Sequence, residues 1–484
     1  PVKLRSRPQH DDYLWALRSA RPNRQNGLDK LVVEAFQLHE RHFVPELMRM
    51  ETEDITHLAK GWVAYLYKDR GKSEQANRKR YRPVTVLNTA YKVVAKAWSR
   101  HLNLILESLD LKQFGFRPRY GCRDALASVK RILLTHKGPG LSMALLDMSL
   151  AFDKARRTQM WEALIALGTP IECVEGLRNL HKRTTMVASW RGLLAEEVVT
   201  DMGVFQGCPI SPPLFIILTE MMNRRVIEAF EKAGLGGIKI EERNRSEKAP
   251  ECFWEKSLEE LTPAELHELE IEKHHSAYAD DTLLTAPTAK EVGEKIPIFT
   301  QVATDHNMTV NKEKTQGLSR EPMDIQQRKE WARKYLEIED PTGFELNKNG
   351  VLLGDLINID GHSGPSLARR LTQAKRKRNA LLAYLARINC LSTRLKCLFI
   401  ESLVDSVALY AMETTSQTPN QMAQLQRFQD GALYSLLEIQ DRENWRQSLE
   451  QARDKFDSKT DNEKMLLGQG FLENQMAAGK AVRF

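Results

Sequence analysis

Asp280 and Asp281 stand side by side in "AYADDTLLTA" (277–286), inside a run that is otherwise apolar and strand-like. Adjacent carboxylates repel, and burying either is costly unless a cation compensates. An Asp-Asp pair at the turn of a short β-hairpin presents its oxygens at one edge of a sheet. Such oxygens suit Mg²⁺, which takes octahedral oxygen coordination and often bridges protein acids to phosphates. Asp doublets are also common in plain turns, so the pair alone is a weak signal. Asp147 strengthens it by ending the apolar run in "LSMALLDMSLAFDKA" (141–155). A strand carrying Asp147 beside the 280/281 hairpin would assemble a site for two divalent ions. Taken alone, Asp147 reads as a helix N-cap or a structural ion pair.

The elements that must position these acids follow from periodicity. Residues 141–146 are apolar except Ser142, with Pro139-Gly140 at the entry, which predicts a buried strand running into a loop and helix. "FQGCPISPPLFIILTEMMNRRVIEAF" (205–230) reads as a Gly/Pro-rich turn feeding a long apolar helix, and 155–182 as helical. "TMVASWRGLLAEEVVTDMGV" and "NGVLLGDLINIDG" read as hairpins, 289–306 as a helix, and "MTVNKEKTQGL" as a turn or strand. Residues 1–70 read as mostly helical, 68–83 as an exposed hairpin or loop, 89–109 as a helix, and 365–438 as all helical. The segment 241–274 differs, being polar and acidic with helix starts at Ser257 and Thr262-Pro263; it reads as a surface insertion. His274-His275 is expected to be exposed and inert.

Composition narrows the class. A chain of 484 residues is too long for one typical domain. No apolar run approaches the ~20 residues needed to cross a bilayer, and the N-terminus has no signal-peptide core. The expectation is an intracellular protein without a membrane partner. Its start at Pro1, without Met, suggests a chain processed or cut from something larger. The net charge of +7 does not establish a polyanionic partner by itself. Positive charge does concentrate in "NRKRYR" (77–82) and "RRLTQAKRKR" (369–378), which could equally be solvated helix faces. The six cysteines are scattered without zinc spacing and read as buried or incidental thiols of a reducing compartment.

Taken together, these blocks resemble the reverse transcriptases of non-LTR (LINE-like) retrotransposons, and more distantly those of group II introns. The resemblance keeps family order over roughly residues 20–440. "NGLDKL", "YRPVTVLNTAYKVVAKAWSRHL" and "QFGFRPRYGCRDAL" resemble finger blocks. "LLDMSLAFDKA", "QGCPISPPLF", "AYADDTLL", "TVNKEKTQ" and "LLGDLI" resemble successive palm motifs, and the helices from 370 to 414 resemble a thumb. The resemblance implies an α+β right-hand polymerase. Its parts would be an N-terminal extension and fingers (1–140), a palm built as an antiparallel sheet with helices on one face (141–361, with finger elements and an acidic insertion at 241–274), a helical thumb (362–440) and a tail without assigned role (441–484).

The resemblance also implies an RNA-directed DNA polymerase that extends a primer 3′-OH with dNTPs on an RNA template, in the service of retroelement mobility. Two Mg²⁺ ions would assist, with Mn²⁺ able to substitute. Asp147, Asp280 and Asp281 would be the catalytic acids, Asp147 and Asp280 the main metal ligands and Asp281 a supporting charge. Phe152 would be the aromatic gate that clashes with a ribose 2′-OH; without the motif it would read as a core aromatic. Asp153 reads as structural. Gln206-Gly207 would form a close-approach turn against template and nucleotide, because Gly lets backbone come near a ligand. Lys68 and Arg82 would clamp the triphosphate. Lys314, with Lys312 as competitor, would donate a proton to pyrophosphate. Tyr278 would support the primer terminus. Arg369, Arg370, Lys375, Arg376 and Arg378 would face the RNA–DNA duplex backbone.

Three departures qualify the pattern. The gap from Asp147 to Asp280 is widened by the acidic insertion, expected to project outward. "LLGDLI" lacks the aromatic that usually precedes that Leu-Gly. No endonuclease residue set or terminal Cys/His cluster is visible, so a nicking domain would be separate or excised. A eukaryotic retroelement would place the chain in the nucleus. The alternatives are a viral-type RNA-dependent RNA polymerase, opposed by Phe152 and by Ala279 where such enzymes usually carry Gly, or a non-catalytic nucleic-acid-binding protein derived from a polymerase.

Overall fold

A computed structural model of the protein describes residues 5–67, 81–109, 113–136, 140–190, 193–241, 270–338, 346–385, 393–414 and 417–436. The strands are β1 (Lys60–Tyr67), β2 (Tyr81–Leu87), β3 (Ser142–Ser149), β4 (Thr184–Trp190), β5 (Leu193–Thr200), β6 (Ile238–Glu241) and β7 (Glu270–Lys273). They continue with β8 (His275–Tyr278), β9 (Asp281–Ala286), β10 (Thr309–Val310), β11 (Gln316–Ser319), β12 (Asn349–Leu352) and β13 (Asp355–Asn358). The chain forms two compact units, the first made of residues 1–125, 140–317 and 321–346, the second of 126–139, 318–320 and 347–484. Among the described residues, no helix is long and apolar enough to cross a membrane.

The first unit is built on two sheets. One runs in the order β10-β3-β9-β8. The apolar side chains of β3 are buried from Ser142 to Leu146, as expected of a strand covered on both faces. The helix Ala289–Asp305 packs on β3 and β9 and against the long helix Ser211–Lys232. That long helix buries Leu214, Phe215, Ile217, Leu218, Met222 and Val226 in one continuous core. The core also takes Tyr91, Val94, Trp98, Leu102 and Ile105 from the helix Thr89–Ser108, an apolar face at helical spacing.

The other sheet has the order β2-β1-β4-β5, with β1 antiparallel to β2 and parallel to β4. Here the reading of residues 1–70 as mostly helical fails at β1. "KGWVAYLY" is rich in aromatic and β-branched residues, and its pairing partners β2 and β4 come from well outside that window. Buried Arg157 ties the adjoining helix to this region. Its Nε donates to the Gly203 carbonyl at 2.9 Å, and its Nη1 donates to the carbonyls of His181 and Thr200 at 2.9 and 2.8 Å.

β6 and β7 form a two-stranded ribbon, so the acidic insertion leaves and returns through paired strands. Residues 242–269, with the helix starts read at Ser257 and Thr262, lie outside the described residues, as does the tail 441–484. His274 and His275 are buried, not exposed, with His274 stacked on Phe230 at 6.3 Å between ring centroids. They lead into β8, whose residues lie in the core, and that placement overrides the polarity of the sequence before them.

In the second unit, the β12–β13 hairpin and the helix Gly364–Leu385 share a polar core. The Lys130 Nζ donates to Asp355 Oδ2 at 2.6 Å, and the Asp355 carboxylate also accepts from the Ser366 hydroxyl. Leu367, Leu371, Ala374, Ile400, Val404, Leu425 and Phe428 supply the apolar core.

Candidate active site

The sheet order sets two acids side by side. β3 and β9 are antiparallel neighbours with Asp147 registered opposite Asp281. β8 and β9 form a hairpin closed by the Tyr278–Asp281 pair, with Ala279 and Asp280 as the turn. Asp281 is therefore the first residue of β9, and Asp280 projects from the turn before it. Ala279 adopts φ 56°, a left-handed conformation that L-residues other than Asn and Asp rarely take.

The electrostatics follow from that crowding. Burial first, and then the charges of Asp280 and Asp147, push the Asp281 carboxyl up to about 6. Burial also raises Asp280, with Asp147 adding to the effect and Lys314 and Arg82 opposing it. Both carboxyls thus lack enough positive charge around them. Among the described residues, Lys314 pairs with the set, its Nζ 2.7 Å from Asp147 Oδ2. Lys314 sits in a short 3₁₀ turn after β10, and the Asn311 N–H donates to the Asp147 carbonyl at 2.7 Å. Lys312, the competing lysine, pairs instead with Glu337.

The remaining expected residues surround this edge. Phe152 is half-buried in the short helix Ala151–Lys154 and stacks on Phe215 at 4.6 Å, with the Phe116 ring edge-on at 6.0 Å. Asp153 accepts a hydrogen bond from Gln206 Nε2 at 3.3 Å. Gly207 has φ +115°, and a Cβ there would stand 2.5 Å from the Thr85 carbonyl oxygen. The close approach is therefore to β2, and the Thr85 N–H donates back to the Gln206 carbonyl at 2.7 Å. Arg82 lies exposed on the same strand, close enough to lower Asp280. Lys68 lies outside the described residues.

The basic helix divides differently from expectation. Arg370 is 3% exposed, and its guanidinium points to Asp355 and donates to the Tyr410 carbonyl. It cannot face a duplex, because the buried Asp355 and the Tyr410 carbonyl hold it. Arg378 lies over the Phe428 ring at 5.4 Å, and Arg369 donates to the Gly354 carbonyl at 3.2 Å. Lys375 and Arg376 are exposed.

One supporting residue went unnoticed in the sequence. Gln113, fully buried, hydrogen-bonds both backbone polar groups of Ala279. Its only signal was its place at the head of the "QFGFR" block.

An antiparallel sheet that gathers three carboxylates with basic side chains beside them has the makings of a phosphoryl-transfer centre. A family model described as reverse transcriptase (RNA-dependent DNA polymerase) matches residues 68–339, and the chain belongs to that family. Two relatives are proteins of transposable elements. The transposon TX1 uncharacterized 149 kDa protein of Xenopus laevis is 26% identical over 316 residues, which cover 64% of this chain and 22% of that protein. The retrovirus-related Pol polyprotein from type-2 retrotransposable element R2DM of Drosophila melanogaster is 29% identical over 147 residues, 30% of this chain and 14% of that polyprotein. The chain thus corresponds to a minor part of either relative. A structure of apo telomerase from Candida tropicalis, truncated from its C-terminal domain, aligns with a TM-score of 0.39 at 12% identity, covering 70% of this chain and 62% of that one.

Proposed function

We propose that the chain is an RNA-directed DNA polymerase that extends a primer 3′-OH with dNTPs on an RNA template, as part of retroelement mobility. The observation that carries this reading is the registry of Asp147 with Asp281 beside Asp280, inside the segment matched by the reverse transcriptase family. In this reading β1, β2, β4 and β5 belong to the fingers, the β10-β3-β9-β8 sheet to the palm and the helices after 362 to the thumb. Residues 1–140 and 362–440 divide accordingly, 141–361 is palm with finger elements and the acidic insertion, and a separate or excised domain would supply any nicking.

The donor set fits divalent cations of the Mg²⁺ or Mn²⁺ kind. It is all oxygen, and the carboxyls of Asp280 and Asp281 are held above their ordinary range by burial and by neighbouring carboxylates, which a cation would relieve. Among the described residues, no three acidic, imidazole or thiol groups form a ready cage. Mg²⁺ usually completes its shell with water and substrate phosphate. Asp147 and Asp280 would hold the ions and Asp281 would add charge. Bound there, such cations would supply a lowered pKa for the attacking hydroxyl and neutralisation of the leaving pyrophosphate.

The protein's own groups do the rest. Arg82 binds phosphate oxygens as a bidentate donor, with Lys68 as a point charge. The Gln206-Gly207 turn fixes the strand that carries Arg82. Phe152, braced by Phe215, excludes a 2′-hydroxyl. Lys314, held beside Asp147, would be placed to protonate pyrophosphate. Tyr278 steadies the primer end, and Arg369, Lys375 and Arg376 would meet the duplex backbone, whereas Arg378 is turned onto Phe428.

Primer extension on RNA and DNA templates, with separate dNTP and rNTP pools, tests the reading. Divalent-dependent dNTP incorporation on RNA is expected, falling to background in Asp280→Asn and Asp147→Ala while folding survives. Phe152→Ala should admit rNTPs. Robust extension by either Asp variant would sink the assignment.

A further inference from the structure

The turn that carries Asp280 is intrinsically unfavourable. A two-residue hairpin turn with a positive φ at its first central position normally calls for Gly, Asn or Asp. Here that position is Ala279 at φ 56°. A strained residue of this kind persists only where its surroundings over-determine it. Asp280, the next residue, depends on that conformation for the direction of its carboxylate.

The surroundings that hold Ala279 come from one short segment. Gln113 Oε1 accepts from the Ala279 N–H at 2.8 Å, and Gln113 Nε2 donates to the Ala279 carbonyl at 3.3 Å. The same side chain accepts from the Gly115 N–H at 2.9 Å and donates to Thr219 Oγ1 at 3.5 Å. Those four bonds use both donors and both acceptor directions of the amide. Next along the chain, the Phe114 N–H donates to the Ala277 carbonyl at 2.9 Å. At Gly115 a Cβ would stand 2.3 Å from the Ala279 nitrogen, so only glycine allows the approach. Arg117 anchors the segment from behind: its guanidinium donates to the carbonyls of Leu106, Leu109 and Gln113 at 3.0, 2.7 and 3.0 Å.

We propose that Gln113 is a positioning residue that grips the left-handed Ala279 turn through both of its backbone polar groups and thereby aims the Asp280 carboxylate. The role in metal binding rests on Asp280 being a metal ligand, as proposed above; the grip on the turn does not. An amide of this shape is needed because one side chain must both donate to and accept from a single peptide turn. Thr219 extends the grip to the long helix that follows the Gln206-Gly207 turn.

Hydrogen exchange in the metal-free protein reads the grip directly. Gln113→Met keeps the volume and removes the bonds; Gln113→Glu keeps the acceptor and loses the donor. The Ala279 amide should exchange at least about tenfold faster in Gln113→Met, the scale of a lost buried hydrogen bond. Amides of β3 should be unchanged. In Gln113→Glu the amide should stay protected. Calorimetric Mn²⁺ affinity should fall in Gln113→Met, and kcat should fall with little change in the KM for dNTP. Unchanged Ala279 exchange in Gln113→Met overturns the grip. Faster exchange with unaltered Mn²⁺ affinity and kcat overturns the aiming role. If Gln113→Met does not fold, Gln113→Glu decides: an unprotected Ala279 amide in that variant overturns the grip. Failure of the polymerase reading would look different, with exchange altered as expected and no divalent-dependent incorporation by the unsubstituted protein.

Discussion

Asp281 carries a cost that its role would explain. Its folded pKa is about 6 against an ordinary 3.8, so the folded protein holds that proton more tightly than the unfolded chain does. The sign follows from linkage. The contribution to stability is fully present below pH 3.8 and is lost as the pH rises through 6. A divalent cation favours the ionised set, so its binding must displace protons across that window. Calorimetry at pH 5 in two buffers of different ionisation heat should show proton release on Mn²⁺ binding, with release fading by pH 7.5. Apparent affinity should rise with pH and flatten above about 6.5. Asp281→Asn should reduce the proton release and raise the thermal midpoint of the metal-free protein. A proton count of zero at pH 5 would mean that these carboxyls do not meet the ion.

Elements were legible where one strand or helix carries its own pattern. The apolar run of β3, the Asp-Asp hairpin and the helix Ser211–Lys232 could all be seen because burial on a sheet or core leaves a periodic trace. β1 was hidden because its strand character depends on partners elsewhere in the chain. Gln113 was hidden because its grip runs to residue 279, and polar residues leave no periodic trace of such contacts. Gly207 was legible as a close-approach glycine, but the surface it approaches was not. Since its Cβ would meet the Thr85 carbonyl and its φ is +115°, Gly207→Ala should push β2 away. The expected cost is about 1–3 kcal/mol in stability. It should also raise the KM for dNTP, because Arg82 rides on that strand. Denaturant melts and dNTP titrations check both, and an unshifted KM would detach Arg82 from the nucleotide.

At the scale of the molecule, charge alone misleads, because a basic stretch can be a binding face, a structural core or both. The helix Gly364–Leu385 buries Leu367, Arg370, Leu371 and Ala374, one stripe at helical spacing. Arg370 therefore sits on the inward stripe, paired with Asp355, which Lys130 also neutralises. Lys375 and Arg376 fall on exposed positions of the same helix. If that face meets nucleic-acid backbone, each cation that neutralises a phosphate steepens the salt dependence of affinity by about 0.7–0.9 in log–log slope. Lys375→Ala and Arg376→Ala should each flatten the slope by roughly that amount, uniformly across sequences, and leave the thermal midpoint in place. Arg370→Ala should do the reverse. It removes a partner from a buried ionic network, so the protein should lose about 3–5 kcal/mol of stability. Whatever folded protein remains should keep the parent slope. Equal slopes for the parent, Lys375→Ala and Arg376→Ala would show that the duplex lies on another face.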